Sequence, residues 1–197
     1  MMKHILFALL LAPIPAFAQD ASEVQRMFEA GRFQQVVETT GNESSPEVLF
    51  TIAQSHQKLG ATDQARDIFS QLAGRPEGAA WHYVGDSARK LLDNDVEGAL
   101  EAARGAVDVG GEMAEAHYQL GLVLAKRQGW REAADAFDRA AQLNPSLAYA
   151  HYYGGLMHYR SNRADRMAIH FEQFLKLAPE APERPEVLQI MRTVRGR

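Results

Sequence analysis

The side chains best suited to acid–base or metal chemistry in this chain are seven histidines and the carboxylates of 25 acidic residues. His151 and His158 stand seven apart, which on a helix puts both on one face. That spacing could permit a metal site. No carboxylate or third ligand follows at metal-motif spacing, so packing is the expected role of these imidazoles. Asp93, Asp95, Glu97, Glu101, Glu112, Glu115, Glu132, Asp135 and Asp138 are scattered. Near helix starts and on outer faces, such carboxylates complement helix dipoles and meet solvent rather than pair for catalysis. There is no cysteine, which excludes a thiolate metal site, a cysteine nucleophile and a disulfide framework. The serine elbow G-x-S-x-G, the P-loop, H-E-x-x-H and the glycine-rich dinucleotide turn are all missing. The expectation is no enzyme, no cofactor and no metal.

The elements that would position these residues repeat. Residues 114–147 and 148–181 align at a period of 34, pairing His117 with His151, Tyr118 with Tyr152, Gly121 with Gly155, Phe137 with Phe171 and Pro145 with Pro179. Within each unit apolar residues recur at three- and four-residue spacing, as in Leu120, Val123, Leu124 and then Ala133, Ala136, Phe137, Ala140. That is helical periodicity, and no strand-like alternation competes with it. Small residues at 85, 121 and 155 allow two helix backbones to approach, and Phe69, Phe137 and Phe171 fill the space between units. Each such ring buries on the order of 150–250 Å². Pro145 and Pro179 stop the second helices because proline lacks the amide hydrogen and crowds the preceding turn. One hairpin cannot cover its own apolar face, so neighbours must stack.

These features resemble the tetratricopeptide repeat, a helix–turn–helix unit of about 34 residues. The unit at 114–147 meets its pattern with His117, Leu120, Gly121, Leu124, Ala133, Phe137, Ala140 and Pro145, His117 standing for the usual Trp. The unit at 148–181 is more divergent, with His151, Gly154, Gly155, His158, Met167, Phe171, Phe174 and Pro179. Residues 78–113 carry Trp81, Val84, Gly85 and Ala88 in the first helix, and Ala99, Ala103 and Ala106 two residues late. A two-residue insertion is therefore expected near Asp93-Asn94-Asp95. Residues 46–77 keep Leu49, Ile52, Ala53, His56, Ala65, Phe69 and Leu72 in register and end early at Arg75-Pro76. Residues 19–44 read as a degenerate first hairpin, and 182–197 as a capping helix with Val187, Leu188, Ile190, Met191 and Val194 on one side. The resemblance implies an all-α fold, a right-handed α-solenoid, with the repeat domain at 45–181.

The resemblance also implies a concave groove lined by the first helices at repeat positions 2, 5, 9, 12 and 13. Position 5 is then Phe50, His82, Tyr118 and Tyr152, and position 13 is Lys58, Lys90, Lys126 and Arg160, with Arg89 and Tyr159 at position 12. These ten residues are the candidate peptide-binding groove. An aromatic row beside a basic row would suit a peptide bearing carboxylates. The same residues also have structural uses. Cations in the last turn of a helix gain about 0.3–1 kcal/mol each from its dipole, and aromatics pack between units. Position 9 carries Gln54, Asp86, Leu122 and Leu156. It has no Asn, and no Lys-x-x-x-Arg pair accompanies it, so the carboxylate-clamp activity of one subset of the family is not expected.

Net charge is −4, so a basic field for nucleic acid is absent. Residues 1–18 read as a secretory signal: Lys3 and His4, an apolar run from Ile5 to Ala12, then Ala16-Phe17-Ala18 as the cleavage pattern. The run is far shorter than the roughly 20 residues a membrane span needs. Cleavage after Ala18 and a periplasmic location are expected, with no stable membrane insertion. The functional expectation is a non-enzymatic scaffold that binds a protein or peptide partner in envelope assembly, secretion or pilus machinery, or cytochrome maturation. The alternatives are a structural module that self-associates through Tyr149, Tyr152, Tyr153 and Tyr159, and a regulatory subunit of an envelope enzyme.

Overall fold

The computed structural model describes residues 21–38 and 45–196. The expected signal segment and the end of the first hairpin lie outside them. The described residues form helices α1 (Ala21–Glu29), α2 (Phe33–Glu38), α3 (Pro46–Lys58), α4 (Thr62–Ala73), α5 (Ala80–Leu92), α6 (Val96–Val109), α7 (Ala114–Lys126), α8 (Trp130–Leu143), α9 (Ala148–Arg160), α10 (Ala164–Leu177) and α11 (Arg184–Arg195). Each pairs with its neighbours in chain order, which makes an all-α solenoid.

The period is kept more strictly than the sequence reading allowed. The first helices begin at Pro46, Ala80, Ala114 and Ala148, a constant step of 34. The turn within each hairpin holds one left-handed residue, and these fall at Gly60, Asn94, Gln128 and Asn162 with φ of 76°, 61°, 63° and 61°. Asn tolerates this conformation through local hydrogen bonding, and Gly adopts it freely. There is thus no insertion at Asp93-Asn94-Asp95. The two extra residues sit earlier, because α4 ends at Ala73 while its counterparts run two residues longer. Pro76 prevents the helix from continuing, and the link to α5 lengthens to compensate. The second unit therefore starts at Ala80, and its first helix shifts by two positions from the expected register.

In the corrected register the small position holds Ala53, Ser87, Gly121 and Gly155, and the paired second-helix position holds Phe69, Ala103, Phe137 and Phe171. All eight are buried. A Cβ added at Gly121 would come within 2.8 Å of the Phe137 ring, and one at Gly155 would collide with Phe171 in the same way. Where the first helix carries the larger Ser87, the second carries the smaller Ala103. Ser87 is fully buried, donates to the Ala99 carbonyl at 2.9 Å and accepts from Gln119 Nε2 at 3.1 Å, so its hydroxyl is satisfied.

The ends of the array meet. Phe28 of α1 packs on Tyr149 of α9 with ring centroids 5.0 Å apart. Glu29 accepts from the Ala148 amide at 3.1 Å, which caps the start of α9. Arg32 reaches Glu180 at 3.2 Å. Helix α11 buries Val187 and Met191 in the common core, and Arg184 donates to the Leu175 carbonyl near the end of α10 at 3.1 Å.

Candidate functional site: the inner face

Position 5 of the four first helices is Phe50, Val84, Tyr118 and Tyr152 in the corrected register, and these are 4%, 0%, 3% and 6% exposed. They form a spine of the core, of which Phe50 and Tyr118 show only an edge to a cleft and Tyr152 only its hydroxyl to Glu186. Phe50 meets Trp81 at 5.7 Å and Tyr118 at 6.3 Å between centroids, while Tyr118 and Tyr152 both pack on Tyr153. Burial pushes the Tyr118 and Tyr153 hydroxyls up from the usual tyrosine range.

His82, Arg89 and Lys90 leave their expected rows because of the two-residue shift. His82 Nδ1 lies 3.1 Å from the Arg75 carbonyl. Arg89 and Lys90 both pair with Asp86 of their own helix at 2.7 Å. Position 13 of this unit is Leu92, so the basic row is Lys58, Lys126 and Arg160. Lys126, Tyr159 and Arg160 are exposed, and Arg160 lies over the Trp130 ring at 4.7 Å. Of the tyrosines read as a self-association surface, Tyr149 and Tyr152 are buried and Tyr153 half-buried; only Tyr159 is exposed.

Lys58 faces a different environment. Its ammonium lies 2.6 Å from Glu183 Oε1 and 4.7 Å from the centre of the Tyr149 ring. The Tyr149 hydroxyl donates to Glu183 Oε2 at 2.8 Å, and the Tyr152 hydroxyl donates to Glu186 Oε2 at 2.8 Å. Two carboxylates at the start of α11 are thus received by one lysine and two phenols of the inner face. Burial, followed by the adjacent carboxylates, drives both hydroxyls far above the ordinary tyrosine value. Glu183 is 125 residues from Lys58, a separation that no local sequence pattern reveals.

Beside this cradle a cleft of about 240 Å³ opens between α1, α3, α7 and the link before α9, lined by Gln25, Glu47, Phe50, Thr51, Glu115 and Tyr118 among others. Burial, with the nearby Glu47 charge, raises the Glu115 carboxyl. This opening is acidic, unlike the basic row.

A second polar cluster lies between the last two units. Asp138 of α8 accepts on Oδ1 from His158 Nε2 of α9 and His170 Nε2 of α10, both at 2.9 Å. Burial alone would raise the Asp138 carboxyl, but the two imidazole donors outweigh it and hold it well below the usual carboxylate range. His151 lies tilted beside His170 with centroids 5.2 Å apart, and burial lowers its basicity. Sequence spacing singled out His151 and His158 but missed Asp138 and His170, which arrive from two other helices. The available signal was His170, at a position its counterparts fill with Ile68, Ala102 and Ala136; His151 and His158 share their positions with His117 and His56 and so did not stand out.

Residues 114–147 and 47–77 each match the tetratricopeptide repeat family. No curated protein matches the chain. Among solved structures, TTC0263, a thermophilic TPR protein of Thermus thermophilus, superposes with a TM-score of 0.62 at 19% identity, covering 87% of this chain and 99% of its own. MamA superposes with a TM-score of 0.51 at 16% identity, covering 85% and 96%. At such identities the likeness concerns the fold. Among the described residues no helix is long and apolar enough to cross a membrane. With its constant 34-residue step, the chain folds as an all-α solenoid of the tetratricopeptide type, two of whose units match the tetratricopeptide repeat.

Proposed function

We propose that this protein is a non-catalytic, exported interaction scaffold whose inner face takes an acidic segment of a partner protein. The observation that carries the reading is the seating of Glu183 and Glu186 on Lys58, Tyr149 and Tyr152. That geometry is a working example of carboxylate recognition by this face, made within the chain. A partner segment with carboxylates one helical turn apart would compete with the start of α11 for the same donors. Lys126, Tyr159 and Arg160 extend the cationic and aromatic surface along later units. Charge at the rim speeds encounter, while the buried aromatic spine keeps the stack rigid. The signal-like residues 1–18 support a periplasmic setting, with envelope assembly, secretion or pilus machinery, or cytochrome maturation as the field of action.

Photo-crosslinking in the native envelope tests this. A crosslinkable residue at Lys126 or Tyr159 should trap one protein partner, whereas the outer-face position Gln64 should not. E183Q/E186Q should increase capture by freeing the inner donors. Equal trapping from both faces, or none with folded protein, would overturn the reading.

A further inference from the structure

We propose that Asp138, His158 and His170 form a binding site for a divalent transition-metal ion of the zinc class, pinning the last repeat to the one before it. One ligand atom from each residue lies within 4.8 Å of the other two. Oδ1 of Asp138 is 2.9 Å from each imidazole Nε2. Ligand atoms around a tetrahedral ion with bonds of about 2.0–2.2 Å stand roughly 3.3–3.5 Å apart, so small outward movements would admit the ion. Two imidazoles and one carboxylate suit zinc and its neighbours better than calcium or magnesium, which take oxygen.

Three further observations favour a ligand over a hydrogen-bonded core cluster. First, the two rings are anchored through the proposed ligand atoms alone: His158 and His170 are 0% and 7% exposed, their Nδ1 atoms have no hydrogen-bond partner, and each imidazole is held only by the Nε2 aimed at Asp138. No second hydrogen bond therefore opposes the small rotation that would bring either Nε2 onto an ion. Second, the backbone is shaped around the cluster. His170 sits between His151 and His158, with ring centroids 5.2 Å from each. A Cβ at Gly154 would come within 2.9 Å of His170 Nδ1, so only glycine admits this ring. Third, the Asp138 side chain is 19% exposed, which leaves an entry path and room for a water as the fourth ligand. His151 lies beside His170, with its own Nε2 3.3 Å from the Pro145 carbonyl.

Because the ligands come from α8, α9 and α10, the ion would staple two units. Its effect should appear as stability, since an ion that binds only the folded state shifts unfolding by mass action. The test uses the untagged full chain after chelator treatment and dialysis. Zinc chloride titrated by calorimetry should bind at one ion per chain, and 100-fold excess over the dissociation constant should raise the melting temperature by several degrees, reversed by chelator. Cobalt(II) in place of zinc should give the visible absorption of a four- or five-coordinate site. D138N and H158Q keep side-chain volume, so they should remain folded by circular dichroism while affinity falls at least 100-fold. H82Q, far from the cluster, should bind normally. Absence of stoichiometric binding at 100 µM zinc, or undiminished binding in folded D138N and H158Q, would overturn the proposal.

Discussion

Gly121 and Phe137 offer a direct perturbation of the packing rule that runs through the array. Phe137 is fully buried, and a Cβ at Gly121 would lie 2.8 Å from its ring, well inside ordinary carbon contact. G121S gains about 0.5 kcal/mol of helix propensity but overpacks the core, at a cost of about 1–3 kcal/mol. F137A removes a fully buried ring, a loss of about 3–5 kcal/mol. The unit at 80–113 carries Ser87 and Ala103 at these two positions, so the chain already holds the exchanged pair. G121S/F137A should therefore lose less than the sum of the single variants, by about 1–3 kcal/mol. In thermal melts of a domain this size each kcal/mol moves the midpoint by about 2–4 °C. Unfolding in urea and by heat gives the three differences. Additivity within about 0.5 kcal/mol would refute the equivalence of Ser87 with Gly121, and with it the 34-residue register.

Two further results are expected. Tyr118, Tyr149, Tyr152 and Tyr153 all hold their protons above the ordinary value because burial, and for Tyr149 and Tyr152 also a carboxylate, opposes ionisation. The folded state therefore binds more protons than the unfolded one in alkali. Stability is at full strength below about pH 10 and falls above it by about 1.4 kcal/mol per pH unit per tyrosine; tyrosinate absorbance should show these four ionising only with unfolding, and gradual ionisation of all six in folded protein would contradict this. S87A should lower stability by about 1–3 kcal/mol, because it strands the buried Gln119 amide nitrogen; an unchanged urea midpoint would show that the hydroxyl bond contributes nothing.

Much of the fold is legible in the sequence because a repeat states its packing rule several times. Gly121 with Phe137 and Gly155 with Phe171 announce the same close approach twice, and Pro145 and Pro179 mark the same boundary. The unit at 80–113 misleads for a physical reason. Trp81, Gly85 and Ala88 imitate the pattern two residues early, and alanine-rich α6 has no ring at Ala103 to fix the register. That slip moved His82, Arg89 and Lys90 into rows they do not occupy. The closure of the array is invisible in sequence because its contacts join residues 119 to 148 apart, as in Glu29 with Ala148 and Arg32 with Glu180. The inner aromatics were legible as a row, lining a groove or packing between units, and the sequence does not choose between the two because the burial depends on that closure.

Zero-length carbodiimide coupling measures the closure at its centre, because it joins an amine to a carboxylate only where the two already touch. Lys58 and Glu183 meet at 2.6 Å with side chains 26% and 13% exposed. Peptide mass spectrometry of the monomer fraction should find an amide between Lys58 and Glu183 within one chain, lost in E183Q. Coupling of Lys58 to carboxylates elsewhere, or only between copies, would contradict an inner face that already holds its own carboxylates.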